Sequence, residues 1–280
     1  MNHVLTPQQV EAFNREGFVG QIRVLDADKL AVLNQRIADF ESQRPADVAW
    51  AFDIKANLLF DWVYELGCLP TIVGAVQDLI GNDVYMTNAV FRIKKPGSSI
   101  DYGWHQDSAR IEMTPSFVIV YISLSDSTAE NGGLRVIPGT HDRVYPFTLH
   151  ATAGQQKRKV ARTTGVDETL AVDCLLKAGE MVIFHSNVVH GSAPNYSDGR
   201  RVAILYDFAP GAAIQSAGMS SGQLVAGQAS ENFGLEPVPE TGLTDANVLM
   251  RRHYLTTYPE NPLMGPLDPG ERPTFPDRPY

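Results

Sequence analysis

The spacing of apolar residues changes character once along the chain. Up to about residue 82 they recur at helical intervals, and beyond it they alternate or gather in short runs. Thr6-Pro7-Gln8-Gln9 combines an N-cap threonine, a proline at the first helical position and a capping-box glutamine, so it starts a short helix that Gly17 is placed to stop. Leu30, Leu33, Ile37 and Phe40 share one face of a second helix. A third is expected from about Pro70 to Ile80, with Ile72, Val73, Val76 and Leu79 apolar and Gly81 at its end. From Asp83 to Lys94 the residues alternate and are β-branched or aromatic, and Phe117 to Leu124 (FVIVYISL) is a stronger strand signal. Shorter strands are expected at Leu134–Ile137, Ala171–Leu176, Met181–Phe184 and Val202–Phe208, parted by Gly, Pro, Asn and Asp turns. Helices followed by many short strands predict an α+β chain with a mainly β core, built as a barrel or sandwich.

Two long connections interrupt the strands, roughly His141–Asp167 and Gly211–Asn247. Connections of that length are usually lids, binding loops or disordered segments. From Tyr258 the chain holds seven prolines and forms no regular structure. The reading is one domain over 1–280. Residues 1–82 give helical support, 83–210 the β core with a lid loop at 141–167, 211–257 an insertion, and 258–280 a proline-rich tail.

With 280 residues, 44% hydrophobic and 20% charged, the composition is that of a globular protein. A formal charge of −9 argues against a nucleic-acid or anionic-membrane surface. Cys68 and Cys174 are too few for a disulfide framework and are expected to be reduced, mostly buried thiols. The N-terminus lacks the pattern of a signal peptide, and no run of about 18 apolar residues occurs. A cytoplasmic protein with no membrane partner is the expectation; no oligomeric state follows.

Chemistry enters with Gly103-Trp104-His105-Gln106-Asp107. In a strand, residues i and i+2 point to the same side, so His105 and Asp107 can aim an imidazole and a carboxylate at one point. Alone, such a pair is as well explained by a solvated surface. It gains weight from His190, 83 residues after Asp107, and from Arg201, which opens the apolar run RVAILYDF 11 residues later. Two histidines and a carboxylate with open positions suit iron(II), and could also hold zinc. An arginine at the head of an apolar strand aims a fixed fork inward, matched to a carboxylate by two parallel hydrogen bonds.

Three blocks, WHQDS (104–108), LSDSTAENGGLRVIPGTH (124–141) and FHSNVVHGSAPNYSDGRR (184–201), resemble the phytanoyl-CoA dioxygenase-like branch of iron(II)/2-oxoglutarate oxygenases. The resemblance runs from roughly Thr6 to Pro210. It implies a double-stranded β-helix, a jelly-roll or cupin-like barrel, buttressed by the N-terminal helices. It implies that His105, Asp107 and His190 are the iron ligands, and that Arg201 pairs with the distal carboxylate of 2-oxoglutarate with support from Ser192. Tyr121 and Gln106 would stand beside that co-substrate, as would Phe91, and Lys55 would match a lysine at the pocket mouth. The reaction implied consumes oxygen and 2-oxoglutarate, releases succinate and carbon dioxide, and hydroxylates an unactivated C–H of a small-molecule metabolite such as an amino acid. Halogenating relatives carry a small residue in place of the aspartate, so Asp107 favours hydroxylation, or desaturation, epoxidation or ring formation, over halogenation.

Other assignments compete at several positions. His185 could replace His190, but its apolar strand suggests a structural role. Arg200 could replace Arg201, but alternation sets Arg201 on the side of Ala203 and Leu205. His141 reads as a loop-fixing residue, and His3, His150 and His253 have no motif support. Asn131-Gly132-Gly133 is a turn rather than a phosphate loop. Lys157, Arg158, Lys159 and Arg162 form a basic cluster that would either capture an anionic substrate group or stay solvated. A catalytically dead relative, a cupin-like binding protein and a zinc hydrolase complete the alternatives.

Overall fold

The computed structural model describes residues 3–109, 111–151, 159–216 and 218–257, and for 149–151, 159 and 160 the backbone alone. The helical support forms as its caps dictate. Thr6 Oγ1 accepts from Gln9 N–H at 3.2 Å while Gln9 Oε1 accepts from Thr6 N–H at 2.9 Å, opening helix Pro7–Glu16. Gly17 closes it at φ +82°, where a side chain would also strike Val188 and His141. Asp26 caps helix Ala27–Gln43 through Lys29 N–H. Helix Pro70–Ile80 has the predicted bounds. Shorter helices at Val48–Ala51 and Asp61–Gly67 lie between them.

Seven strands make the larger sheet, in the order Phe18–Arg23, Glu180–His185, Val118–Ser123, Arg201–Pro210, Val84–Lys94, Ser220–Ala226 and Phe233–Leu235. A four-stranded sheet runs Tyr102–His105, Val189–Ser192, Arg135–Ile137 and Val172–Asp173. Every pairing is antiparallel except the last of the larger sheet. The apolar run at Val118–Ser123 is buried on both faces. Val118, Val120 and Ile122 belong to a core cluster shared with helix residues Phe13, Ile37 and Ile72, whereas Ile119 and Tyr121 join a second cluster with Val136 and Leu134 of the other sheet. Each such side chain is worth about 1.5–3 kcal/mol buried, so the register cannot slip by one residue.

Strand Arg201–Pro210 obeys the same alternation. Val202, Ile204, Tyr206 and Phe208 join the helix-side cluster, while Ala203 and Leu205 pack with the other. Arg201 therefore faces between the sheets and is 1% exposed, while Arg200 forks onto Glu41 with two bonds of 2.9 Å.

Several expectations require correction. Strand Phe18–Arg23 was not foreseen; Gly20 and the left-handed Gln21 blur its alternation, and pairing to Glu180–His185 creates it. Residues 211–247 are no simple connection, because Ser220–Ala226 pairs with Val84–Lys94 and extends the larger sheet, and helix Asp245–Thr257 follows. The strand expected over Ala171–Leu176 shrinks to Val172–Asp173 and a bridge at Leu176. Within 141–167, Phe147–Ala151 and Lys159–Thr163 pair as antiparallel strands. The proline-rich tail, Lys157 and Arg158 lie outside the described residues. Cys68 and Cys174 are both free, Cys174 fully buried and Cys68 partly so. Among the described residues no single helix is long and apolar enough to cross a membrane.

Candidate metal and co-substrate site

His105 ends the first strand of the smaller sheet and pairs directly with His190 on the next. Their rings stand 4.1 Å apart between centroids. Asp107, two residues on at the start of a 3-10 turn, swings its carboxylate between them, with Oδ1 3.7 Å from His105 Nε2 and Oδ2 3.7 Å from His190 Nε2. The three ligand atoms lie within 4.8 Å of one another, close enough for one ion to touch all of them. Each histidine has its other nitrogen occupied. His105 Nδ1 bonds Gly103 O at 2.8 Å and His190 Nδ1 bonds Val188 O at 3.0 Å. A carbonyl can only accept, so both rings carry their proton on Nδ1 and turn the Nε2 lone pair toward Asp107. Burial, and for His105 also the neighbouring His190, pushes both imidazoles down to about 4, leaving them neutral ligands.

Arg201 lines the same cavity, together with Tyr121 and Ser192. Its Nη1 donates to the Tyr121 hydroxyl at 2.7 Å, but Nε and Nη2 are buried with no partner among the described residues. Unsatisfied buried guanidinium hydrogens are costly, and two side by side form the fork that a carboxylate fills. The donor set and the orphaned fork thus fit a divalent metal and a dicarboxylate. Lys94, opposite Arg201 in the strand register, donates to Ser192 Oγ at 2.7 Å, to Ser192 O at 3.1 Å and to Ala193 O. Burial, and then the charge of Arg201, pushes Lys94 down to about 7.

Not every residue expected here arrives. Gln106 is 1% exposed and turns away from the cavity. Its amide nitrogen donates to Arg143 O at 2.8 Å and to Asn187 O, and its oxygen accepts from Tyr145 N–H at 2.7 Å. It ties the 143–145 backbone to the strand turn. Lys55 is equally enclosed, in an ion pair with Glu236 and a 2.7 Å bond to Thr87 O. Phe91 faces the helix side, its ring tilted 33° against that of Phe52 with centroids 4.3 Å apart. None of the three lines the cavity.

The competing histidines also find ordinary places. His185 Nδ1 accepts from Asn187 N–H at 3.0 Å, with its ring 5.5 Å from that of His141. His141 Nε2 meets Asn14 O at 3.2 Å and His3 pairs with Asp78. Arg162 of the basic cluster covers Gly103, where any side chain would collide with its guanidinium, and lies 3.6 Å from Asp101. The cavity further holds Asn88, Arg92 and Asp207, which sequence reasoning passed over. The signal for Asp207 was present, since it shares the parity of Arg201 in an apolar run. Burial, and then the charge of Asp107, pushes its carboxyl up to about 7.

Similarity to known proteins agrees with this geometry. Residues 13–203 match the family model described as Phytanoyl-CoA dioxygenase (PhyH). The chain is 29% identical over 226 residues to an ectoine dioxygenase of Nocardia farcinica, covering 74% of this chain and 72% of that one. It is 28% identical over 228 residues to an L-proline trans-4-hydroxylase of Streptomyces griseoviridis, covering 70% and 83%. Among solved structures, the non-heme monooxygenase ThoJ in its apo form superposes with a TM-score of 0.77 at 25% identity, covering 89% of this chain and 95% of ThoJ. A family model that matches more than half of the residues, over a span that includes the His-Asp-His cluster, places the chain in the phytanoyl-CoA dioxygenase family, as an iron(II)- and 2-oxoglutarate-dependent oxygenase.

Proposed function

We propose that this enzyme hydroxylates an unactivated C–H bond of a small-molecule metabolite while converting 2-oxoglutarate and oxygen to succinate and carbon dioxide. The observation that carries the reading is Arg201, whose buried Nε and Nη2 have no partner among the described residues, in a cavity shared with the triad. In this reading the two sheets are the faces of a double-stranded β-helix, and the chain works as a single oxygenase unit. His105, Asp107 and His190 hold iron(II), which when bound supplies the oxygen-activating chemistry. Arg201 grips the far carboxylate of the co-substrate, with the Ser192 and Tyr121 hydroxyls beside it. Lys94 holds Ser192 in place and, with a carboxylate bound beside it, carries a second positive charge at that end. Val90, Leu134 and Leu205 line the cavity between these polar groups and exclude water from the reacting carbon. Asp107 occupies the ligand position that a halogenating enzyme would leave for chloride, which supports hydroxylation.

Anaerobic reconstitution with iron(II) and 2-oxoglutarate tests the reading. A weak visible charge-transfer band should appear, followed by succinate when oxygen is admitted, and Asp107→Ala should abolish both. A folded, iron-loaded protein with no band and no succinate would overturn it.

A further inference from the structure

The cavity has a second polar end to which the proposed reaction gives no task. On strand Arg201–Pro210 the residues lining it are Arg201, Leu205 and Asp207; on the adjacent strand Val84–Lys94 they are Asn88, Val90 and Arg92. Asp207 stands opposite Asn88, and Leu205 opposite Val90. Six residues at about 3.3 Å each put Asp207 roughly 20 Å along the strand from Arg201. The floor of the cavity therefore runs from a cationic end through an apolar middle to an anionic end.

Asp207 also borders a second cavity, with Thr87, Gln215 and Ser220 beside the apolar Met113 and Phe117. Asn88 is common to both. Asp207 is 8% exposed, yet among the described residues its carboxylate has one hydrogen bond, Oδ2 from Asn88 Nδ2 at 3.0 Å. Asn88 is held in turn, its oxygen accepting from Lys55 N–H at 2.8 Å. Two cations act on Asp207 at a distance. Lys55 is committed to Glu236, and the Arg92 guanidinium lies over the Tyr102 ring at 5.5 Å. A carboxylate enclosed this way, with one neutral partner, is poorly compensated until a cation reaches it.

We infer that Asp207, seated by Asn88, is a specificity-determining residue that holds a cationic nitrogen of the primary substrate, and that the substrates are small aliphatic molecules bearing a protonated amine. Val90 and Leu205 then flank the carbon chain between that nitrogen and the triad. The inference rests on the oxygenase reading of the same cavity and adds the class of substrate to it.

The test uses the full chain loaded with iron(II). Succinate formation from 2-oxoglutarate is measured with the twenty protein amino acids and cadaverine, each beside its N-acetyl derivative. At least one free amine should stimulate turnover, and its N-acetyl form should not. With that amine, Asp207→Asn keeps the size and the bond to Asn88 but loses the charge. It should lower kcat/KM by roughly 30-fold, chiefly through KM. Asp207→Glu, which keeps the charge, should lose less. The 2-oxoglutarate charge-transfer band should be the same in wild type and Asp207→Asn, showing that the variant is folded and the co-substrate end intact. Stimulation by neutral or anionic probes alone, by no amine, or an Asp207→Asn enzyme within threefold of wild type would overturn the inference. Loss of the band in wild type would instead overturn the oxygenase reading.

Discussion

Replacing Arg201 by methionine separates binding from stability, because the structure assigns the two effects opposite signs. In the protein without co-substrate the guanidinium is 1% exposed and satisfied at one nitrogen, with Nε and Nη2 unpaired among the described residues. Methionine is apolar and nearly as long, so the variant should be as stable as wild type or more so. With 2-oxoglutarate the same change removes a buried charge pair, which typically costs about 2–5 kcal/mol. Taking the lower bound at about 1.4 kcal/mol per decade, the dissociation constant should rise about 30-fold or more. At a concentration 100 times the wild-type constant, bound co-substrate stabilises wild type by about 2.7 kcal/mol. The variant, at the same concentration, should gain about 0.9 kcal/mol or less. Anaerobic titration of the iron(II) protein, followed by the charge-transfer band and by thermal unfolding, measures both quantities. An unchanged dissociation constant, or a variant destabilised by several kcal/mol before co-substrate is added, would refute the reasoning.

Three further outcomes follow from side chains outside the cavity. Lys55→Met should destabilise the protein by about 3–5 kcal/mol in urea, because it leaves Glu236 uncompensated in the interior, and Lys55→Met with Glu236→Leu should recover much of the loss. Gln106→Leu should lower stability by about 1–3 kcal/mol, since it strands the Tyr145 N–H and two carbonyls; the 2-oxoglutarate dissociation constant should stay within threefold, whereas a residue touching the co-substrate would move it further. His185 is pushed down to about 4 by burial and then by His141. Its unfolded form titrates near 6.5, so the unfolded chain takes up the proton first and stability is full above that pH and falls between about 6.5 and 4. In that window His185→Gln should flatten the pH dependence of stability by up to about 1.4 kcal/mol per pH unit, as read from urea midpoints.

The local chemistry of the chain determined much on its own. The Thr6 capping box, the Gly17 stop and the bounds of Pro70–Ile80 depend on neighbours a few residues apart, and all three are as the sequence predicts. Alternation also put Arg201 inside and Arg200 outside, because two-residue periodicity is a property of any strand. It brought together no partners distant in the chain. That His105 faces His190 is decided by strand pairing across 85 residues, and that Arg201 Nε and Nη2 find no partner among the described residues can be known only once every neighbour is in place. The same holds where sequence reasoning misplaced a residue. Lys55 and Gln106 carry polar groups suited to a co-substrate, but Glu236 and the 143–145 backbone reach them first. Asp207 shows the converse: its parity was legible from Arg201, while the second cavity and the bond from Asn88 that give it meaning arise only where the strands meet.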